Sequence, residues 1–307
     1  MTTHHETVYL LSNGDFRDTA AEDCWPMQQQ TIDAVTVCFD KLGVQTRLLP
    51  EYDPHKKHGF LTRQRTGLEV FAAIDPQAPV VVVLSCWAYS HHVASGLQTH
   101  KGPILLLANF NGKWPGLVAL LNHAATLERL CVKHSRIWSE SFSDDPAFMQ
   151  RLKGWCDTGK INYDTSHLWS AEKLSLSDQA LEFGEGLAAE IIRHKRIMGQ
   201  LDPGCMGMLN TVMNPAKLGA IGMPLELLNQ SDLVAEMALV DDAEAQGYLD
   251  WLVERGVWFD WGTNQFNALV HGQVLSQMKM YAAAIRIYQR YGLAAIGIPY
   301  QVGLVRS

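Results

Sequence analysis

Two short, uninterrupted apolar runs constrain the fold of this chain more than any other feature. Residues 80–84 read Val-Val-Val-Val-Leu, and residues 104–108 read Ile-Leu-Leu-Leu-Ala. Each run is short for a helix and is unbroken by polar residues, which is typical of a central parallel strand covered by helices on both faces. The sequence therefore predicts an α/β core organised around these two strands.

Strand and helix patterns alternate around these two runs. We predict further strands at 8–11, 44–49 and 136–138, and helices at 61–74, 117–130 and 146–156. Another helix is predicted to start near Pro26, because proline is well tolerated in a first helical turn, and to end at Gly43. Residues 52–60 are predicted to form an exposed polar loop. This alternation indicates a doubly wound parallel sheet with right-handed crossovers.

The pattern lapses between Asp157 and Ser170, where small polar residues crowd together. We place a domain boundary here and predict two doubly wound, Rossmann-like three-layer domains with mainly parallel sheets, residues 1–165 and 166–307. The second is predicted to have helices at 174–194, 215–221, 231–237, 243–255 and 274–291, and strands at 196–201 and 294–298. No helix follows the last strand, so this domain is expected to be incomplete at its C-terminal end.

Composition excludes several classes of function. The formal net charge is −7 with no long basic block, which argues against nucleic acid as a partner. No apolar run approaches the roughly 20 residues that cross a bilayer, so no membrane partner is expected. The N-terminus lacks the pattern of a signal peptide, and the six cysteines show no C-x-x-C spacing. We therefore expect a cytoplasmic protein with reduced thiols.

Three residues that follow predicted strands are candidates for binding a small polar ligand, because ligands of open α/β sheets lie outside the carboxyl ends of the strands. Trp87 could stack on a sugar ring or could only cap the sheet. Arg17 could bind a hydroxyl, carboxylate or phosphate, or could pair with Asp15 or Asp18. Gln301 could hydrogen-bond a hydroxylated ligand or stabilise its own loop.

Other polar groups have simpler explanations. His91 and His92 are adjacent, so their side chains point in different directions and are poorly placed to share a metal ion. Asp241, Asp242 and Glu244 precede a predicted helix, where acidic groups favour the positive end of the helix dipole. The chain has no dinucleotide-binding, P-loop or G-x-S-x-G motif. Residue chemistry alone thus predicts a two-domain α/β protein that binds a small polar ligand.

Five motifs occur in order and cover almost the whole chain from Val8 onward. They are Asn13-Gly14-Asp15-Phe16-Arg17, Ser85-Cys86-Trp87-Ala88-Tyr89, Phe110-Asn111-Gly112-Lys113-Trp114-Pro115-Gly116, Cys205-Met206-Gly207-Met208, and Gln277 to Ala282 followed by Ile296 to Gln301. Together they resemble the L-fucose isomerase family, whose fold is shared by L-arabinose isomerases. The resemblance implies that Arg17, Trp87 and Gln301 face the substrate.

The resemblance implies aldose–ketose isomerisation of a sugar in a homo-oligomer. In the family a divalent metal, typically Mn²⁺, is held by a glutamate, an aspartate and a histidine and acts as a Lewis acid. Those ligands come after the region matched by Gln301, so we expect no metal ligand in this chain and no Mn²⁺ bound by it alone. Glu236, Glu254 and Asp260 are available carboxylates, but none falls at a matching place.

Two hypotheses follow from the resemblance. The chain is the N-terminal part of a sugar isomerase and contributes substrate-pocket and oligomer surfaces, or it is a non-catalytic sugar-binding or regulatory protein on the isomerase scaffold. An enzyme that uses other carboxylates is a weaker third possibility. The sequence does not distinguish L-fucose, L-arabinose and related sugars.

Overall fold

The structure is a computed structural model that describes residues 7–205, 207–261 and 269–298. This part of the chain divides into two compact units. Residues 7–169 and 207–210 form the first unit, and residues 170–205, 211–261 and 269–298 form the second. Each unit contains a parallel sheet flanked by helices, so the predicted Rossmann-like α/β fold class is confirmed. Within the described ranges, no helix has the length and apolar character needed to cross a membrane.

The first unit has a five-stranded parallel sheet. Its strands lie in the order β2-β1-β3-β4-β5, so the order reverses between β1 and β3. In open sheets of this kind the ligand crevice lies at the carboxyl ends of the strands at such a reversal. The strands are β1 (Thr7–Ser12), β2 (Gln45–Leu49), β3 (Val80–Leu84), β4 (Ile104–Asn109) and β5 (Ser135–Ser139).

Helices cover both faces of this sheet and create two separate cores. Side chains of a strand alternate between its faces, so neighbours such as Val82 and Val83 belong to different cores. All five residues of β3 are fully buried, as the continuous apolar run predicts. The helices are α1 (Asp18–Lys41), α2 (Gln64–Ala73), α3 (His91–Thr99), α4 (Gly116–Arg129) and α5 (Pro146–Thr158).

The start of the first helix was predicted wrongly. Helix α1 begins at Asp18, eight residues before Pro26, and Pro26 lies inside it. A proline inside a helix lacks the backbone N–H of one helical hydrogen bond. Ala21 and Trp25 are buried in the first turns, and we attribute the tolerance of Pro26 to this packing. The predicted end is correct, because Gly43 has a φ of 71° just after the helix.

One further prediction about the first unit needs correction, and one helix was not predicted. The 52–60 loop is exposed only in part, because His58, Gly59 and Phe60 are buried and the Phe60 ring lies edge-on to Trp25 at 5.1 Å. Helix α3 was not predicted, although it lies between the two strands on which the prediction was based. It has nine residues, including Gly96, and its helical pattern is correspondingly short.

The second unit has a three-stranded parallel sheet in the order β7-β6-β8. Its small core combines Leu201 and Leu228 from β6 and β7 with Leu233 and Ile287 from two helices. Strand β7 was missed by the sequence analysis. The elements are α6 (Asp178–His194), β6 (Met198–Leu201), α7 (Pro215–Ala220), β7 (Leu225–Leu228), α8 (Gln230–Met237), α9 (Asp242–Glu254), α10 (His271–Arg290) and β8 (Ala295–Gly297).

Candidate functional site

The loops that follow β1 and β3 are joined at the point where the strand order reverses. The Asn13 side-chain Nδ2 donates to the Tyr89 carbonyl at 3.0 Å, and the Tyr89 backbone N–H donates to the Gly14 carbonyl at 3.3 Å. The Phe16 and Tyr89 rings meet edge to face, with centroids 5.1 Å apart. These contacts connect the loop that carries Arg17 to the loop that carries Trp87.

Arg17 is held in place by Asp15, which is only 5% exposed. One Asp15 carboxylate oxygen accepts from the Arg17 backbone N–H at 2.9 Å and from Nε at 3.0 Å, and the other accepts from Nη2 at 2.5 Å. A two-point contact of this kind orients the planar guanidinium. The Arg17 side chain is nevertheless 47% exposed. The salt bridge with Asp15 that was considered as the alternative role of Arg17 is therefore present, in a side chain that is about half exposed.

Trp87 lies three residues beyond the end of β3 and is half-buried. Strands β1 and β3 pair directly in parallel, so Arg17 and Trp87 leave the sheet at the same edge. The structure thus places these two predicted site residues on adjacent, connected loops. The third, Gln301, lies outside the described residues.

Buried polar side chains gather at the same edge of the sheet. Several of their atoms have no hydrogen-bond partner in the part of the chain that the structure describes, which is costly for a buried polar atom. Alternation along the strands places Ser12, Ser85 and Asn109 on the sheet face that α1 covers. The atoms are Ser12 Oγ, Asn13 Oδ1, Ser85 Oγ, both polar atoms of the Asn109 amide, and Asn122 Oδ1.

Gln28 ties α1 to the end of β3 and was missed by the sequence analysis. Its side-chain Nε2 donates to the Val83 carbonyl at 2.8 Å, and its Oε1 accepts from the Ser85 backbone N–H at 3.0 Å. The fully buried amide therefore satisfies backbone groups where the strand stops. A glutamine in an otherwise regular helix gives little sequence signal of such a role.

His123 on α4 fixes the orientation of the Asn13 amide. Its Nδ1 lies 2.7 Å from the Ala119 carbonyl, which can only accept, so Nδ1 carries the proton. Its Nε2 then accepts from Asn13 Nδ2 at 2.7 Å. Complete burial lowers the pKa of His123 to about 4, which keeps the ring neutral and able to accept this bond. The role of His123 depends on a residue 110 positions away, so local sequence gives no sign of it.

The two adjacent histidines, His91 and His92, both contact the Tyr89 ring. The His92 ring stacks on Tyr89 at 5.4 Å, and its Nδ1 lies 3.2 Å from the Leu61 carbonyl. Burial lowers the pKa of His92 to about 4 and also lowers the pKa of His91. Across residues 7–205, 207–261 and 269–298, no group of three or more His, Cys, Asp or Glu side chains is arranged to hold a metal ion.

Two carboxylates of the second unit, those of Asp241 and Glu236, take part in a helix cap and in ion pairs. Asp241 is the N-cap of α9 and accepts from the Glu244 backbone N–H at 2.8 Å, as the helix-start interpretation predicts. Both oxygens of Glu236 are bound by arginines of α10, Arg290 at 2.6 Å and Arg286 at 3.4 Å. Glu236 therefore joins α8 to α10 and is poorly placed to act as a base.

The second unit also contains an aromatic cavity of about 490 Å³ between α9 and α10, which the sequence analysis did not predict. The Tyr248 and Tyr281 rings meet edge to face at 5.2 Å on its wall, next to Trp251. Glu244 also lines the cavity, and its carboxylate pairs with Arg286 at 2.5 Å. The wall is therefore mainly aromatic, and its acidic group already has a partner.

Comparison with known proteins gives no further identification: no family model matches the chain, and no curated protein matches it. The resemblance to L-fucose isomerases therefore stays a prediction based on the five motifs.

Proposed function

We propose that this chain is the N-terminal part of a metal-dependent aldose–ketose isomerase of the L-fucose isomerase type, and that it contributes a sugar-binding surface. The observation that carries the proposal is the joined pair of loops at the strand-order reversal, which present Arg17 and Trp87 at one edge of the first sheet.

The chemistry of this edge suits a hydroxylated ring. An indole face stacks on the apolar C–H face of a sugar, and an oriented guanidinium donates to hydroxyl oxygens in a fixed geometry. Arg17 is oriented by Asp15 before any ligand arrives, which reduces the entropy lost on binding. The buried hydroxyl and amide groups at the strand ends make the same edge polar.

The metal centre that the resemblance implies is not assigned to residues of this chain. The described residues offer no fitting group of ligands, and the buried carboxylate Glu236 is already paired with two arginines. The proposed contribution of the chain is therefore to bind and orient sugar, and no proton transfer is attributed to its side chains.

We also propose that the protein forms a homo-oligomer through helix α6. Its apolar side chains Leu181, Phe183, Leu187 and Ile192 are all exposed, and none of its 17 residues, all of them described, is buried. Phe183 and Leu187 are four residues apart and therefore share one side of the helix. An amphipathic helix normally buries such a face.

The charges of α6 favour a second copy of the same helix as the partner. Asp178 and Glu182 lie near the start of α6, whereas Arg193 lies in its last turn and is followed by Lys195 and Arg196. Arg193 also pairs with Glu190 of the same helix, so the net positive charge at this end comes mainly from Lys195 and Arg196. An antiparallel pair would place the acidic end of each copy beside the basic end of the other, and a two-fold interface of this kind is the commonest in homo-oligomers.

Sugar binding by the purified chain tests the main proposal. We expect L-fucose or L-arabinose to bind in calorimetric titrations, and we expect Trp87→Ala and Arg17→Ala each to weaken binding by about tenfold or more, a loss of about 1.4 kcal/mol. Arg65→Ala is the matched control for Arg17, because Arg65 is an exposed arginine of α2 that pairs with Glu69. This control should bind like the unmodified chain.

Two further results test the proposal. A Mn²⁺ titration and an isomerase assay on the same sample separate a sugar-binding chain from a complete enzyme: metal-dependent turnover would show that this chain has metal ligands of its own. Failure of both sugars to bind, with the fold intact by circular dichroism, would overturn the proposed function.

A further inference from the structure

Cys24 and Cys86 are far apart in sequence but adjacent in the first unit. Cys24 lies on α1, and Cys86 lies in the loop that follows β3, immediately before Trp87. The Cys86 thiol is 3.5 Å from the Cys24 backbone carbonyl, to which it donates. Both cysteines are reduced in this structure. The Cys86 thiol therefore lies against the first turns of α1 at Cys24.

The two thiols differ in accessibility and acidity. Cys24 is half-buried, whereas Cys86 is only 2% exposed. The Cys86 thiol has one proton, which can turn from the Cys24 carbonyl to the Cys24 sulfur. The side-chain hydrogen bond formed in this way lowers the pKa of Cys24, and the same bond together with burial raises the pKa of Cys86. The thiolate is the reactive form of cysteine. The more accessible member of the pair is thus also the more readily ionised one.

We propose that Cys24 and Cys86 are a reversible disulfide site that responds to hydroperoxides. The Cys24 thiolate attacks a peroxide oxygen, the O–O bond breaks, and a Cys24 sulfenic acid forms. The departing hydroxide takes up the proton that the Cys24 thiol lost on ionising and leaves as water. The Cys86 sulfur then attacks the Cys24 sulfur, the S–O bond breaks, and the departing hydroxide takes the Cys86 proton to form a second water. Two thiols lose two electrons and two protons in total, and hydrogen peroxide is reduced to two molecules of water.

The surroundings of Cys38 and Cys156 do not favour this reaction. Burial raises the pKa of Cys38 and of Cys156 to about 11, which keeps these thiols protonated. Cys131 is exposed on the surface and serves as an internal control for non-selective oxidation.

Because Cys86 precedes Trp87, the disulfide would also tether the Trp87 loop to α1. The disulfide can form whether or not this loop binds sugar.

Peptide mapping of the full chain after brief treatment with hydrogen peroxide tests the proposal. We expect a disulfide-linked pair of peptides containing Cys24 and Cys86, a fall in free thiols from six to four, and complete reversal by dithiothreitol. In Cys86→Ala, Cys24 should react several-fold more slowly, because the hydrogen bond that stabilises its thiolate is absent. It should also stop at a sulfenic acid that dimedone traps.

Cys131→Ser is the matched control and should form the Cys24–Cys86 link at the rate of the unmodified chain. The proposal would be overturned if Cys24 and Cys86 remained free in the unmodified chain after the exposed Cys131 had been oxidised. Equal rates of Cys24 oxidation in the unmodified chain and in Cys86→Ala would also overturn it. The mapping of the unmodified chain needs no substitution, so the first test does not depend on whether a variant folds.

Discussion

Buried histidines make the stability of the first unit depend on pH. Burial lowers the pKa of His92 and of His123 to about 4, below the ordinary histidine value of about 6.5. Between these two values the unfolded chain binds more protons than the folded chain. Stability should therefore fall as the pH falls through this window, by about 1.4 kcal/mol per pH unit for each histidine.

A single substitution isolates the contribution of His123. In His123→Gln, the free energy of unfolding should vary less steeply between about pH 4 and 6.5, by about 1.4 kcal/mol per pH unit. Urea unfolding at several pH values measures this slope. His167→Gln, at an exposed position, should keep the original slope. An unchanged slope in His123→Gln would show that His123 is not a buried neutral histidine in the folded protein.

At the residue scale, the sequence predicts which side chains leave the sheet but not how they are held. Arg17 and Trp87 could be selected because each follows an apolar strand pattern. Gln28 and His123 could not, because their partners are 55 and 110 positions away and are brought close only by the fold. The pairing of Asp15 with Arg17 was foreseen as an alternative because it is local.

At the element scale, the close approach of α2 and α3 requires a glycine. A Cβ atom added to Gly67 would overlap the backbone carbonyl oxygen of His92, which cannot move aside like a flexible side chain. Gly67→Ala should therefore destabilise the protein by about 1–3 kcal/mol despite the better helix propensity of alanine. Thermal or urea unfolding measures the change.

Gly154 in α5 provides the opposite case. Among the described residues, no atom beyond the neighbouring backbone of α5 lies within 4 Å of a Cβ built there. Gly154→Ala should therefore stabilise the protein by about 0.5–1 kcal/mol through helix propensity alone. The two substitutions are chemically identical, and both lie inside helices. Effects of the same sign and size would show that the packing of α2 against α3 does not control the result.

The elements themselves were largely predictable from periodicity, and the exceptions have physical causes. The continuous apolar runs mark β3 and β4 clearly because both faces of these strands are buried. The start of α1 was misplaced because the packing of Ala21 and Trp25 outweighs the local signal of Pro26. The four-residue strand β7 was missed because only Leu228 of it is buried.

At the scale of the whole molecule, the exposed face of α6 leads to a prediction about assembly. If this face binds its counterpart in a second copy, the chain should be dimeric or larger in light-scattering measurements at micromolar concentration. Leu187→Asp should then shift it toward monomer, because a charge cannot be buried without a partner. Val118→Asp on α4 is the matched control, since Val118 is 52% exposed and Leu187 is 50% exposed.

Charge reversal tests the antiparallel arrangement itself. Glu182→Lys and Arg193→Glu should each weaken association, because each places like charges beside one another in an antiparallel pair. A mixture of the two variants should associate more strongly than either alone, since both contacts of the mixed dimer again join opposite charges. A chain that stays monomeric at all concentrations, or a Leu187→Asp variant that assembles like Val118→Asp, would contradict self-association through α6. An unaltered response to charge reversal, with association lost in Leu187→Asp, would contradict only the antiparallel geometry.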